Sequence, residues 1–192
     1  MIIQVRGTSG SGKTWAMKQL MAIAHWHYGS HLPCLWVPNH VEKRKKPLFY
    51  VSNPETSCPQ TIIMGHYASP CGGCDTIGSA REIYELTKKL HQDYPNHHII
   101  QEGLLLSEDV KWTSQMGDVR SLFLTTPLEK CLEQIGSRRA AVGNEKPLNP
   151  DNTTNRIKTI ERARQKLVEL GICCTRCSAG QVPNLILKLL RE

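Results

Sequence analysis

The chain has no run approaching the ~20 apolar residues that a membrane-spanning helix requires. It also has no cationic segment followed by a long apolar stretch near its start. The first absence argues against a membrane span, the second against a secretory leader. There is no internal repeat and no sign of a second domain, so the 192 residues read as one α/β domain over 1–192 with room for a sizeable core.

Positive charge is in modest excess: 24 Lys and Arg against 17 Asp and Glu, a formal net charge of +7. Such a surface favours an anionic partner, and nucleotides and nucleic acid both qualify. Eight cysteines would suggest disulfides in a secreted chain. The motif described next points instead to ATP and a reducing cytoplasm, where free thiols or a metal are expected.

Ile2, Ile3 and Val5 read as a short buried strand. Gly7-Thr8-Ser9-Gly10-Ser11-Gly12-Lys13-Thr14 follows at once and fits the phosphate-binding pattern G-x-x-x-x-G-K-[ST]. Lys13 to about His27 then reads as a helix, with Ala16, Leu20, Ile23 and Ala24 on its apolar face. Backbone N–H groups converge on a phosphate only where side chains do not intervene, which explains the three glycines. The helix start adds its positive dipole end. Lys13 is placed to reach the β- and γ-phosphates, and the Thr14 hydroxyl to hold Mg²⁺.

Further along, Cys34–Val37, Leu48–Val51 and Thr61–Tyr67 are strand candidates. The most basic run, Lys43-Arg44-Lys45-Lys46, lies between two prolines with aromatics on both sides. It reads either as a solvated loop or as a contact to a nucleic-acid backbone. Ala68–Thr76 is a loop with two adjacent glycines before a helix over about 79–92, and we take it as the second half of an active site, with Asp75 inside it. Asp75 reads either as a general base or as a cap of the following helix. His97–Glu102 is an apolar strand ending in a carboxylate and Gly103, the pattern of a residue that orients Mg²⁺ or its water. A strand over 118–125, a helix over 127–135, Arg138-Arg139 and a Gly/Asn/Pro-rich segment to Asn155 come next. The chain ends with a helix over 156–170, a strand near 172–175 and a helix over 182–190.

In that order, the motifs resemble a P-loop kinase of the nucleoside/nucleotide kinase group, over essentially the whole chain. The resemblance implies a P-loop NTPase fold: a doubly wound, mostly parallel five-stranded sheet with helices on both faces and an Arg-bearing lid over about 136–156. It implies ATP and Mg²⁺ as cofactors, with residues 7–14 on the nucleotide and Thr14 and Glu102 toward the metal. It further implies Arg138, Arg139 and Arg156 as clamps on the transferring phosphates, and an adenine seat near Cys177–Val182. The Arg-bearing monophosphate-binding pattern usual in nucleoside monophosphate kinases is absent. The loop Gly65-His66-Tyr67 … Gly72-Gly73-Cys74-Asp75-Thr76 resembles instead that of the bacteriophage 5-hydroxymethyluracil DNA kinases, which implies DNA carrying a modified pyrimidine as partner and a place in thymidine hypermodification. A hydroxyl acceptor must lose a proton, unlike a monophosphate, and that gives Asp75, with Glu102 as the alternative, a role as base.

Three other readings stand beside this one. A small-molecule nucleotide or nucleoside kinase shares every motif. A regulatory nucleotide hydrolase fits less well, because Arg138, Arg139 and Arg156 are built into the chain rather than supplied by a partner. A zinc module rests on Cys71-x-x-Cys74 and Cys174-x-x-Cys177, with His97 and His98 as spare ligands. However, spacing three on a strand puts the second pair on opposite faces.

Overall fold

The computed structural model describes residues 1–23, 36–39, 46–52, 59–67, 69, 72–144 and 147–192. The strands are β1 (Ile2–Arg6), β2 (Trp36–Asn39), β3 (Phe49–Ser52), β4 (Thr61–Met64), β5 (His98–Glu102), β6 (Val119–Leu124) and β7 (Cys173–Cys177). The helices are α1 (Lys13–Ile23), α2 (Ala80–Asp93), α3 (Leu104–Glu108), α4 (Leu128–Ala140), α5 (Pro150–Glu169) and α6 (Val182–Leu189).

All seven strands form one sheet in the order β2-β3-β4-β5-β1-β6-β7. The expected five-stranded sheet is therefore two strands short. The five from β4 to β7 are mutually parallel, whereas β3 and β2 add to the β4 edge in antiparallel fashion. Antiparallel neighbours need only short connections, so an edge extension of this kind carries no helical spacer for the sequence to reveal.

Adjacent residues on the inner strands belong to opposite layers, as a two-residue period requires. Ile2, Ile62 and Ile99 pack with Ile83 and Leu90 of α2 and Leu106 of α3. Their neighbours Ile3, Ile63 and Ile100 pack with Met17 and Leu20 of α1 and Ile186 of α6. Both faces are thus covered by helices, and the inner strands are apolar apart from buried polar residues that bond one another, such as Gln4 donating to Gln101 at 3.0 Å. α5 lays Ile160 and Leu167 against Phe123 of β6. At that end of the sheet, Cys174 packs with the α5 layer and Cys177 with the α1 layer. The two sulfurs face opposite ways and cannot share a metal ion. Cys71 lies outside the described residues. Among the described residues no helix is long and apolar enough to cross a membrane.

Two helix boundaries differ from the sequence expectation. α4 runs on through Gly136 to Ala140, so Arg138 and Arg139 sit in its last turn rather than in a loop. α5 begins at Pro150, with Asn149 as N-cap accepting from the Asp151 N–H at 2.9 Å. Asn followed by Pro at the first helical position is a start signal in its own right. Only 141–149 separates the two helices. The expected end of the first helix at His25–His27, and Lys43, Arg44 and Lys45 of the basic run, lie outside the described residues.

Candidate active site

β1 lies in the middle of the parallel set, and Val5 is in register with Glu102 of β5. The loops leaving these two strands therefore emerge side by side on one edge of the sheet, at the carboxyl ends where ligands of open α/β sheets bind. Gly7–Gly12 forms the first loop and Lys13 opens α1. Gly10 has φ 74°, and a Cβ there would stand 2.3 Å from the Cys131 carbonyl oxygen. The loop thus rests directly on α4 and admits only glycine at that point.

The Lys13 ammonium folds back over the loop and donates to the carbonyls of Gly7 (2.8 Å) and Thr8 (3.0 Å). Burial lowers its pKa, while Glu102 and Asp75 pull it back up. The Thr14 hydroxyl donates to Glu102 Oε1 at 2.8 Å. Glu102 is only 1 % exposed. Burial pushes its carboxyl up to about 7, against the opposing pull of Lys13 and Thr14.

The hydroxyls of Thr8 and Ser11 are buried without a hydrogen-bond partner among the described residues. Two buried hydroxyls with hydrogen-bonding capacity to spare in a glycine-rich loop fit an anionic ligand. Two backbone donors of that loop are already committed: the Gly7 N–H donates to Ser107 Oγ at 2.8 Å and the Ser11 N–H to the Thr8 carbonyl at 3.2 Å.

The loop after β4 folds back so that Gly73 N–H donates to the His66 carbonyl at 3.0 Å. Gly73 has φ 76°, and a Cβ there would stand 2.4 Å from Glu102 Oε1. Glycine thus brings this backbone against the buried carboxylate. Asp75 caps a helix, but not the one that follows it in sequence. Its carboxylate accepts from the N–H groups of Leu104 (2.8 Å) and Leu105 (3.1 Å), at the start of α3. The start of α2 is capped by Ser79 and Glu82 instead.

A cleft of about 380 Å³ brings together Ser9 to Thr14, Gly72, Asp75, Glu102 and Arg138. Arg139 lines a second cleft, of about 530 Å³, with Thr8, Ser9, Glu108 and Arg156. Consecutive residues on a helix point about 100° apart, so the two arginines face different clefts that share a wall at Ser9. Arg156 Nε is paired with Glu108 Oε1 at 2.8 Å. The sequence contains no hint of Glu108 or Ser107, because their partners stand 48 and 100 residues away and neither belongs to a motif. On the far side of the loop, a Cβ on Gly12 would stand 2.9 Å from Ala179 Cβ, so the segment implied as an adenine seat abuts the glycine-rich loop.

The chain is 36 % identical over 176 residues to a 5-hmdU DNA kinase of Pseudomonas phage PaMx11, spanning 89 % of this chain and 87 % of that protein. A 5-hmdU DNA kinase of Pseudomonas phage M6 is 29 % identical over 182 residues, spanning 88 % and 86 %. That of Delftia phage PhiW-14 is 20 % identical and matches over 65 % of its own length. No family model matches the chain. Among solved structures, an uncharacterised protein from Eubacterium ventriosum overlays at a TM-score of 0.42 with 12 % identity, covering 100 % of this chain and 98 % of that one, a likeness too slight to bear on function.

Proposed function

Because the chain belongs to the 5-hmdU DNA kinase family, and is therefore a kinase that needs a nucleotide phosphate donor, we propose that it transfers the γ-phosphate of ATP to the 5-hydroxymethyl group of 5-hydroxymethyluracil in phage DNA. The observation that carries this reading is the convergence of Lys13, Thr14 and Glu102 with the orphaned Thr8 and Ser11 hydroxyls around one glycine-rich loop, in a P-loop arrangement. The domain is read as one kinase unit over 1–192, with its Arg-bearing lid over about 136–156.

Residues 7–14 hold the nucleotide phosphates. Lys13 moves its ammonium from the Gly7 and Thr8 carbonyls to the phosphate oxygens. Mg²⁺ would be held by the Thr14 hydroxyl and the Glu102 carboxylate, partly through water, and would supply neutralisation of the phosphate charge. Arg138 faces the same cleft and stabilises charge on the group in transit. Arg139 and Arg156 approach from the second cleft.

With Glu102 committed to Thr14 and the metal, Asp75 is the carboxylate left to take the acceptor proton. A carboxylate offers about four lone-pair sites. The Leu104 and Leu105 N–H groups occupy two of them, which fixes the carboxylate and leaves capacity toward the cleft. A fixed base suits a hydroxyl acceptor and has no use for an acceptor that is already an oxyanion.

The test is transfer of labelled γ-phosphate to a panel of free nucleotides, plain DNA and DNA containing 5-hydroxymethyluracil. Label is expected only on the modified DNA. Transfer to free monophosphates with none to DNA rejects this reading in favour of a nucleotide kinase.

A further inference from the structure

On the outer side of the second layer, two aromatic rings and two lysines form a compact ridge. Tyr84 lies in the second turn of α2, and Trp112 lies four residues beyond the end of α3. Their ring centroids are 5.2 Å apart with planes inclined by 32°. Lys111 Nζ stands 4.7 Å from the centre of the Trp112 ring, and Lys88 Nζ 5.6 Å from that of Tyr84. Both rings are partly exposed, and Lys88, Lys111 and the neighbouring Arg81 are exposed. Glu85 is the one acidic residue between Arg81 and Lys88 without a cap or ion pair among the described residues, and it leaves the ridge net positive.

The ridge is held stiffly from below. Arg6, 0 % exposed, donates to the Asp109 carbonyl at 2.8 Å and to Thr113 Oγ1 at 2.5 Å. The Asp109 carboxylate accepts from the N–H groups of Trp112 (3.2 Å) and Thr113 (2.8 Å). Such anchoring is costly to maintain for a surface turn with no task, because a buried guanidinium must be satisfied by several partners at once.

The ridge also stands beside the proposed site. Asp75 caps Leu104 and Leu105, and Trp112 follows eight residues after Leu104. One and a half turns of helix plus four residues span no more than about 20 Å, roughly six nucleotides of a DNA strand.

We propose that the Tyr84–Trp112 ridge, with Lys88 and Lys111, is where the DNA strand flanking the target base docks. This rests on the DNA-kinase reading above. Aromatic faces accept any base by stacking, and ammonium groups take the phosphates between them, so the surface grips a strand without reading its sequence. In the protein alone each lysine covers a ring; on a strand the ammonium moves to a phosphate and a base takes its place on the ring. Sequence-tolerant grip is what a modifying enzyme needs when the modified base alone marks the target.

The test uses the full chain and DNA carrying one 5-hydroxymethyluracil, as a single strand and as a duplex. Binding is measured over a salt series for wild type, Lys88→Gln/Lys111→Gln, Trp112→Ala and Trp112→Phe, with ATP affinity and γ-phosphate transfer alongside. Loss of two phosphate contacts lowers the slope of log affinity against log salt by about 1.4–1.8. Loss of one stacking ring weakens binding to the single strand by roughly 5- to 150-fold, and Phe restores most of it; ATP affinity stays as in wild type. The two exposed lysines keep the test valid even if Trp112→Ala fails to fold. An unchanged slope and unchanged affinity in the lysine double variant overturn the docking proposal while wild-type transfer to DNA stands. Wild-type transfer confined to free nucleotides overturns the DNA-kinase reading first, and the ridge proposal with it.

Discussion

Replacing Glu102 with Gln should make the ligand-free protein more stable at neutral pH, although it removes a residue at the centre of the site. Glu102 is 1 % exposed, and burial raises its carboxyl from 4.5 to about 7. A raised carboxyl binds its proton more tightly in the folded state than in the unfolded state. Below about 4.5 both states are protonated and the group contributes nothing to pH dependence. As pH rises the unfolded state loses its proton first, and stability falls until the folded pKa near 7 is passed. A shift from 4.5 to about 7, at 1.36 kcal/mol per pH unit, makes that loss about 3 kcal/mol.

Gln keeps the shape and an acceptor for the Thr14 hydroxyl but never ionises. Two other sets of groups bear on the window. His66, His97 and His98 are depressed by burial and act with the opposite sign, but they are common to both proteins and cancel in the difference. Lys13 loses a partner that raised its pKa, which offsets part of the gain, so about 3 kcal/mol is a ceiling. Urea unfolding followed by circular dichroism between pH 4.5 and 8 measures the difference. The variant should be nearly equal to wild type at the acid end and pull ahead as pH rises. Parallel stability curves across that range would refute the placement of an ionisable Glu102 at a buried position.

Lys13→Ala should lower phosphate transfer by roughly 10²-fold or more with the circular dichroism spectrum intact; near-normal turnover by the folded variant would remove Lys13 from the chemistry. Arg138→Ala and Arg139→Ala, measured separately, should lower the transfer rate more than ATP affinity, since a group that acts on charge in transit contributes mainly in the transition state; equal small losses in both quantities count against that role. Asp75→Asn keeps one carbonyl acceptor for the start of α3, so a melt should register a stability loss of about 1 kcal/mol, while transfer to modified DNA falls by ~10² or more and DNA affinity stays. If transfer falls only as far as the folded fraction does, Asp75 is a cap and not the base.

Legibility in the sequence followed the range of each interaction. The loop 7–14 was readable because its chemistry is contained in eight consecutive residues flanked by a strand and a helix. The inner strands were readable from short apolar stretches such as Ile2-Ile3, Ile62-Ile63 and Ile99-Ile100, while the buried Gln4, Arg6 and Gln101 beside them gave no such signal. The β2 and β3 segments were readable as strands, but their membership of the sheet was not, since antiparallel neighbours leave no helical spacer to betray the pairing. Gly136 reads as a helix stop in sequence, yet α4 continues through it, because α4 packs along α5 and a single interior glycine costs only about 1 kcal/mol. Asp75 illustrates the deepest limit. Its position before α2 makes it look like that helix's cap, but the side chain reaches 29 residues onward to α3, a choice made by the β4–β5 neighbourhood in the sheet.

That reach gives α3 an importance out of proportion to its five residues. Its start is capped by Asp75 from the loop after β4. Its Ser107 takes the first N–H of the glycine-rich loop, and its Glu108 holds Arg156 of α5. The Asp109 carbonyl just beyond it is held by Arg6, the residue that precedes the glycine-rich loop. The proposed base, the phosphate loop and one proposed clamp are therefore tied to a single turn and a half of helix. A short helix has almost no stability of its own. Its position is set by these ties, so displacement at one of them is felt at the others. A phosphate that draws Arg156 away from Glu108 releases one end of the element that positions Asp75. Clamp and base are thus coupled through α3, which is a physical reason for expecting the acceptor side of the site to respond when the donor side closes.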